Sequence, residues 1–232
     1  MGNVKRIVLI CCYVLSLLLL MMTLWMKDYF IVASLIMIGL AIVSFFIRFE
    51  KKNRKVEAIV LIAVLAAIAA VSRIPFASLP SVQPTSFVIM MSALAFGSEV
   101  GFLVGCLAAI VSNMYLGQGP WTPWQMFSWG MLGFTAGLLR YRFFMSSLWV
   151  KNAFGFVWGF LYGWMTNVYF VFAFMGAPSW QAYVAACINS FAFDLAHGLS
   201  NVFFITIFSA QWMKMLQRVK RKYGLLTESD EK

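Results

Sequence analysis

The stretch RFEKKNRK, residues 48–55, decides how the rest of the chain is read. Two apolar runs precede it, at 7–26 and 29–47. Six follow, at 56–72, 85–97, 101–115, 125–139, 153–175 and 183–212. Runs of this composition read as membrane-spanning helices. With residues 48–55 on the cytoplasmic side, alternation of the spans puts Lys5, Arg6, Arg140, Arg142, Lys151, Lys214, Arg218 and the rest of the basic tail there too. Of the 18 Lys and Arg residues, only Lys27 and Arg73 then fall outside. Positive charge retained on the cytoplasmic side sets membrane orientation, so both termini are expected to be cytoplasmic. Arg73 calls for an explanation other than topology.

Composition points the same way. Hydrophobic residues make up 62% of the chain and charged residues 11%, far from a soluble domain. The net charge of +10 sits beside the spans rather than on a folded face, so topology and anionic lipid account for it without nucleic acid. The loops are too short to house a catalytic domain, and any ATP hydrolysis has to come from partners. The first run follows Lys5 and Arg6 as a signal peptide would. It is too long for one and leads straight into a second span, so it reads as a retained helix.

The chain divides into an N-terminal transmembrane hairpin with its basic linker (1–55), a six-helix core (56–216) and a basic cytoplasmic tail (217–232). The hairpin spans carry almost no polar residues. The six later spans are rich in Gly, Asn, Gln and Trp, as a bundle around a polar cavity requires. The fold class is an all-α polytopic membrane protein. The spans at 85–97 and 101–115 are only about 20 Å long at 1.5 Å per residue. They borrow flanking residues or sit where protein surrounds them.

Small residues recur at helical spacing: Ala63, Ala66, Ala67 and Ala70; Gly130, Gly133 and Gly137; Gly155, Gly159 and Gly163, followed by Asn167. In lipid, helices associate where small residues let their backbones approach. The glycines read as internal packing. The alanine stripe fits either internal packing or an external docking face.

The outward connections at 73–85, 116–125 and 176–183 hold all six prolines and carry Arg73, Gln83, Gln118, Trp121, Trp124, Gln125 and Trp180. Each Trp taken alone fits the interfacial aromatic belt. Taken together, these residues suit a binding site: indole rings give flat apolar surface, amides hydrogen-bond, and Arg73 adds fixed charge. Asn113 and Asn167, at the outer ends of their spans, would line its floor, with Asp194 at its deepest edge. On the last span Ser190, Asp194, His197 and Asn201 share a face. They read as an Asp194–His197 pair locking helix packing, or as a proton relay.

No Walker lysine motif, zinc-protease motif or nucleophile elbow is present, so enzymatic chemistry is not expected. Cys11, Cys12, Cys106 and Cys187 have no metal-type spacing. A lone Cys187 on an apolar face is ordinary core rather than a cobalt ligand.

The paired A-x-x-x-A stripe on the first core span, the six-helix unit and its polar outward loops resemble the substrate-binding S components of energy-coupling factor (ECF) transporters, a class of ABC importers for vitamins. The likeness covers about residues 56–216. PSVQPTSFV (80–88), GQGPWTPWQM (117–126) and FDLAHGLSN (193–201) resemble the cobalamin-specific branch in particular. The N-terminal hairpin departs from the six-helix pattern.

The resemblance implies a multi-pass protein of the bacterial plasma membrane that binds its vitamin without a cofactor of its own. It implies partners too, a transmembrane coupling protein and two ATPase subunits, with Ala63, Ala66, Ala67 and Ala70 facing the coupling protein. The bundle would topple in the membrane to deliver its ligand. The competing readings are a self-sufficient secondary transporter working through Asp194 and His197, an S component for another vitamin, and a scaffold subunit whose loops bind protein.

Overall fold

A computed structural model describes residues 56–175 and 179–224, together with scattered positions between 11 and 40. The hairpin expected over 1–55 and the tail beyond Gly224 otherwise lie outside the described residues. Among the described residues there are six α-helices, two short 3-10 turns and no strand. The helices are α1 (Val56–Val71), α2 (Thr85–Phe96), α3 (Ser98–Leu116), α4 (Thr122–Leu139), α5 (Leu148–Phe174) and α6 (Trp180–Tyr223). Among the described residues, four segments are long and apolar enough to cross a membrane: Val56–Phe76, Ser98–Leu116, Leu148–Phe174 and Trp180–Tyr223.

The short helix α2 is the central post. It has 12 residues, about 18 Å at 1.5 Å per residue, and every one except Leu94 is buried. Helices α1, α3, α4 and α6 all pack against it. A helix enclosed by protein has no need to match the thickness of a bilayer, which is why so short an element is stable there. It turns directly into α3 at Gly97, whose φ of 103° lies where residues with a Cβ are strained.

Glycines bring the neighbouring helices together in two pairs. Between α3 and α4, Gly101 opposes Gly133, Gly105 opposes the Trp129 backbone, and Gly137 opposes Ser98. Between α5 and α6, Gly159 meets Gly198, Gly155 meets the Ile205 side chain, and Gly163 faces the Asp194 carboxylate. A methyl group at any of these positions would overlap its neighbour. The glycine runs are internal packing surfaces, as their spacing predicts.

The alanine stripe divides. Ala66 and Ala70 are buried within the chain, while Ala63 and Ala67 are exposed beside Val60 and Val64. At 100° per residue the four alanines span an arc of about 100°, with Ala66 and Ala70 on one side of it and Ala63 and Ala67 on the other, and the edge of the bundle runs through it. Ala66 and Ala70 are therefore not available to a partner.

The last helix also differs from expectation. It has 44 residues and runs unbroken through 216, so the expected boundary between core and tail falls inside a helix. Nothing in its basic stretch breaks a helix until Gly224, which caps it at φ 56°. Lys220, Arg221 and Lys222 occupy its last turn, where cations suit the negative end of the helix dipole. Lys220 also donates to the Ala95 carbonyl at the end of α2, at 3.2 Å.

Candidate functional site

At one end of the bundle the chain leaves α1 through Arg73, turns at Ile74–Phe76, and returns to α2 past Ser81 and Gln83. Ser81 takes a left-handed φ of 60°, rare for a residue with a side chain. The Gln83 N–H donates to Ser200 Oγ on α6 at 3.0 Å, pinning the loop to that helix.

Arg73 is the hub. Its Nε donates to Gln83 Oε1 at 2.9 Å. Its Nη1 donates to Ser112 Oγ at 2.7 Å and to Asn113 Oδ1 at 2.9 Å, both on α3. The guanidinium lies 5.0 Å from the centroid of the Trp129 ring on α4, a cation–π distance. Asn113 passes the network onward: its Nδ2 donates to Gln125 Oε1 at 2.6 Å and to Thr122 Oγ1 at 3.0 Å. Thr122 donates to Gln118 Oε1 at 2.8 Å, and Gln118 Nε2 donates to the Ile110 carbonyl at 3.1 Å.

The network continues inward. Trp129 Nε1 donates to Ser86 Oγ at 3.2 Å, and Ser86 lies 2.8 Å from His197 Nε2. Tyr162 stacks on Trp129 at 5.1 Å and meets the His197 ring edge-on at 5.0 Å. Arg73, Gln83, Asn113, Gln118 and Gln125 are thus joined by hydrogen bonds within one cluster, to which the turn after α1 and the five helices α2 to α6 contribute.

Other expected site residues stand elsewhere. Trp121 is exposed, and its ring covers Gly119. Trp124 is buried in the hydrophobic core and does not stand at an open mouth. The reason is helical phase: Gln125 and Trp129 are one turn apart and share the polar face, while Trp124 points into the apolar packing. Asn167 and Asp194 form a second, separate cluster between α5 and α6. Asn167 Nδ2 donates to Ser190 Oγ at 2.8 Å, and Ser190 donates to Asp194 Oδ2 at 2.9 Å.

The expected Asp194–His197 pair is not formed. Asp194 turns toward the space that Gly163 leaves on α5, while His197 turns toward Ser86 on α2. Two neighbouring helices claim the two side chains. Ser86, Ser112, Thr122, Trp129, Tyr162 and His197 are the members of the hub that the sequence did not single out for it. The four-residue step from Gln125 to Trp129, and that from Gln118 to Thr122, were the available signals.

Among curated proteins, the chain is 31% identical over 91 residues to a UPF0397 protein of Vibrio atlanticus, covering 37% of this chain and 50% of that one. It is 30% identical over 91 residues to UPF0397 proteins of Aliivibrio fischeri and Aliivibrio salmonicida, covering 37% of this chain and 49% of each. The chain spans about half the length of the curated relatives it matches. No solved structure matches it significantly. The family model described as "ECF-type riboflavin transporter, S component" matches residues 51–218. That span takes in α1 to α5 and most of α6, including every residue of the Arg73 cluster, and the chain belongs to this family of ECF transporter S components.

Proposed function

We propose that this protein is the membrane-embedded substrate-binding subunit of an ECF-type vitamin importer in a bacterial plasma membrane, and that the Arg73 cluster is its ligand site. The observation that carries the reading is the convergence of Arg73, Gln83, Asn113 and Gln125 at one end of the bundle, in a family of transporter S components. By the charge rule that end faces outward and both termini are cytoplasmic. Large vitamins with many amide and hydroxyl groups suit such a lining.

A corrinoid such as cobalamin is the ligand to which the Gly117–Met126 string points. The description of the matched family favours a second reading, a flavin. Both offer a broad conjugated ring and hydrogen-bonding groups to the same cluster. Transport requires a transmembrane coupling protein and two ATPases, with Ala63 and Ala67 in the exposed strip that meets the coupling protein. The bundle then topples to carry the site inward. Asp194 and His197, bonded to different partners, supply no continuous proton path, which disfavours a self-sufficient secondary transporter.

Purifying the tagged full chain from its native membrane tests this reading. The expected result is co-purification of two ATPases and a coupling protein, with a vitamin released on denaturation. A chain that purifies without ATPases but stoichiometrically with an unrelated protein would support the scaffold reading instead.

A further inference from the structure

Arg73 carries a full positive charge into a site built of neutral groups. Its recorded acceptors are the amides of Gln83 and Asn113 and the hydroxyl of Ser112. Among the described residues the carboxylates are Glu57, Glu99 and Asp194, and none pairs with it. Glu57 and Glu99 lie in the first turns of α1 and α3, while Arg73 binds the last turn of α3. That separates them from Arg73 by about 20 Å at 1.5 Å per residue. Asp194 is engaged by Ser190 on another face. A guanidinium at membrane depth is costly unless an anion offsets its charge.

The hydrogen bonds of Arg73 leave a donor for that anion. Nε and Nη1 are used in orienting the fork, and Nη2 has no recorded partner among the described residues. A guanidinium held by Nε and Nη1 is pre-organised to offer Nη2 to an oxyanion, with the lost side-chain freedom already spent. Trp129 under the guanidinium covers one of its faces.

We propose that the transported molecule bears an oxyanion, a carboxylate or a phosphate ester, that docks on Nη2 of Arg73. The inference rests on the reading that the Arg73 cluster is the ligand site, and it narrows the ligand to molecules with such a group. Within the chain, Asp28 is the one acidic residue that the sequence reading places on the same side of the membrane, and it lies outside the described residues.

The test uses ligand pairs of which one member bears the oxyanion, titrated into the purified full chain by calorimetry. The probes are flavin mononucleotide against riboflavin, which differ in the phosphate alone, and cyanocobalamin against dicyanocobinamide, which lacks the ribose and base along with the phosphodiester. In the pair that binds, the phosphate-bearing member should bind roughly 10- to 100-fold tighter, the range for a hydrogen bond to a charged group. Arg73→Gln should erase that preference in the flavin pair and reduce it by the same factor in the corrinoid pair, Arg73→Lys should keep part of it, and Asp28→Asn should leave it unchanged.

Equal binding of both members to the unmodified chain overturns the proposal without any variant. So does a preference that Arg73→Gln leaves undiminished, or one that Asp28→Asn abolishes. If neither pair binds, mass spectrometry of the molecule released from the purified chain decides: a carboxylate or phosphate supports the proposal and a neutral molecule overturns it. Co-purification of the ATPases depends on none of these ligands. The subunit reading therefore stands or falls separately.

Discussion

Arg73 at the end of α1 and Asn113 at the end of α3 are 40 residues apart in sequence and joined by a 2.9 Å hydrogen bond. Both amide protons of Asn113 are engaged in this position. It accepts from Arg73 and donates to both Gln125 and Thr122, so a single buried amide links the turn after α1 with α3 and α4.

Asn113→Leu keeps the volume and removes all three bonds. It should destabilise the detergent-solubilised protein by about 1–3 kcal/mol, the cost of leaving buried polar groups unpaired, and weaken ligand binding as well. Thermal unfolding and calorimetry on the same sample check both effects. Unchanged stability would mean that water replaces the amide and that the hub is looser than its distances imply.

Gly163 and Asp194 form a second coupled pair, because a β-carbon at 163 would overlap the carboxylate. Gly163→Ala should cost about 1–3 kcal/mol through overpacking. In an Asp194→Ala background the same change should cost far less, since the obstructing group is gone. A double-mutant cycle on unfolding measures this interaction directly. Additive effects would show that the two residues do not meet.

The divided alanine stripe gives opposite outcomes on the same helix. Ala63→Leu with Ala67→Leu should leave ligand binding intact and block assembly with the coupling protein, because close backbone approach is lost. Ala66→Leu with Ala70→Leu should instead damage the subunit itself, as overpacking of a buried face does. Pull-down and thermal unfolding of the two double variants separate these effects. Normal assembly of the first variant would remove the exposed strip from the interface.

Asp194→Asn retains a group able to bond Ser190. Uptake by the full assembly should remain ATP-dependent and indifferent to proton uncouplers when ATP is held constant. Trp124→Ala should lower stability by about 3–5 kcal/mol, as truncation of a core aromatic does. That effect would appear with or without ligand, unlike a change confined to the site.

The helices were legible because each span ends at charges, prolines or Gly97. The close helix pairs were legible because glycines four residues apart have few other uses in lipid. Helical phase was not. Where lipid-facing and protein-facing sides are both apolar, periodicity carries little signal. Ala66 could not be told from Ala67, nor the buried Trp124 from a residue at the mouth. The loop amides pointed to the end of the bundle where Arg73, Gln83, Asn113 and Gln125 meet. The small hydroxyls Ser86 and Ser112 were silent, because a serine in an apolar helix usually bonds its own backbone. Which neighbour would claim Asp194 and His197 depended on Gly163 and Ser86, and no spacing within α6 could reveal that.

The central claim, that the chain captures a substrate and does not move it alone, is tested most directly by uptake into proteoliposomes. One set would hold the full chain alone under an imposed proton or sodium gradient. The other would hold the chain assembled with its coupling protein and ATPases, with ATP supplied to the ATPase side. The account predicts ligand binding in both sets and accumulation only in the second, with ATP. Gradient-driven accumulation by the chain alone would contradict it.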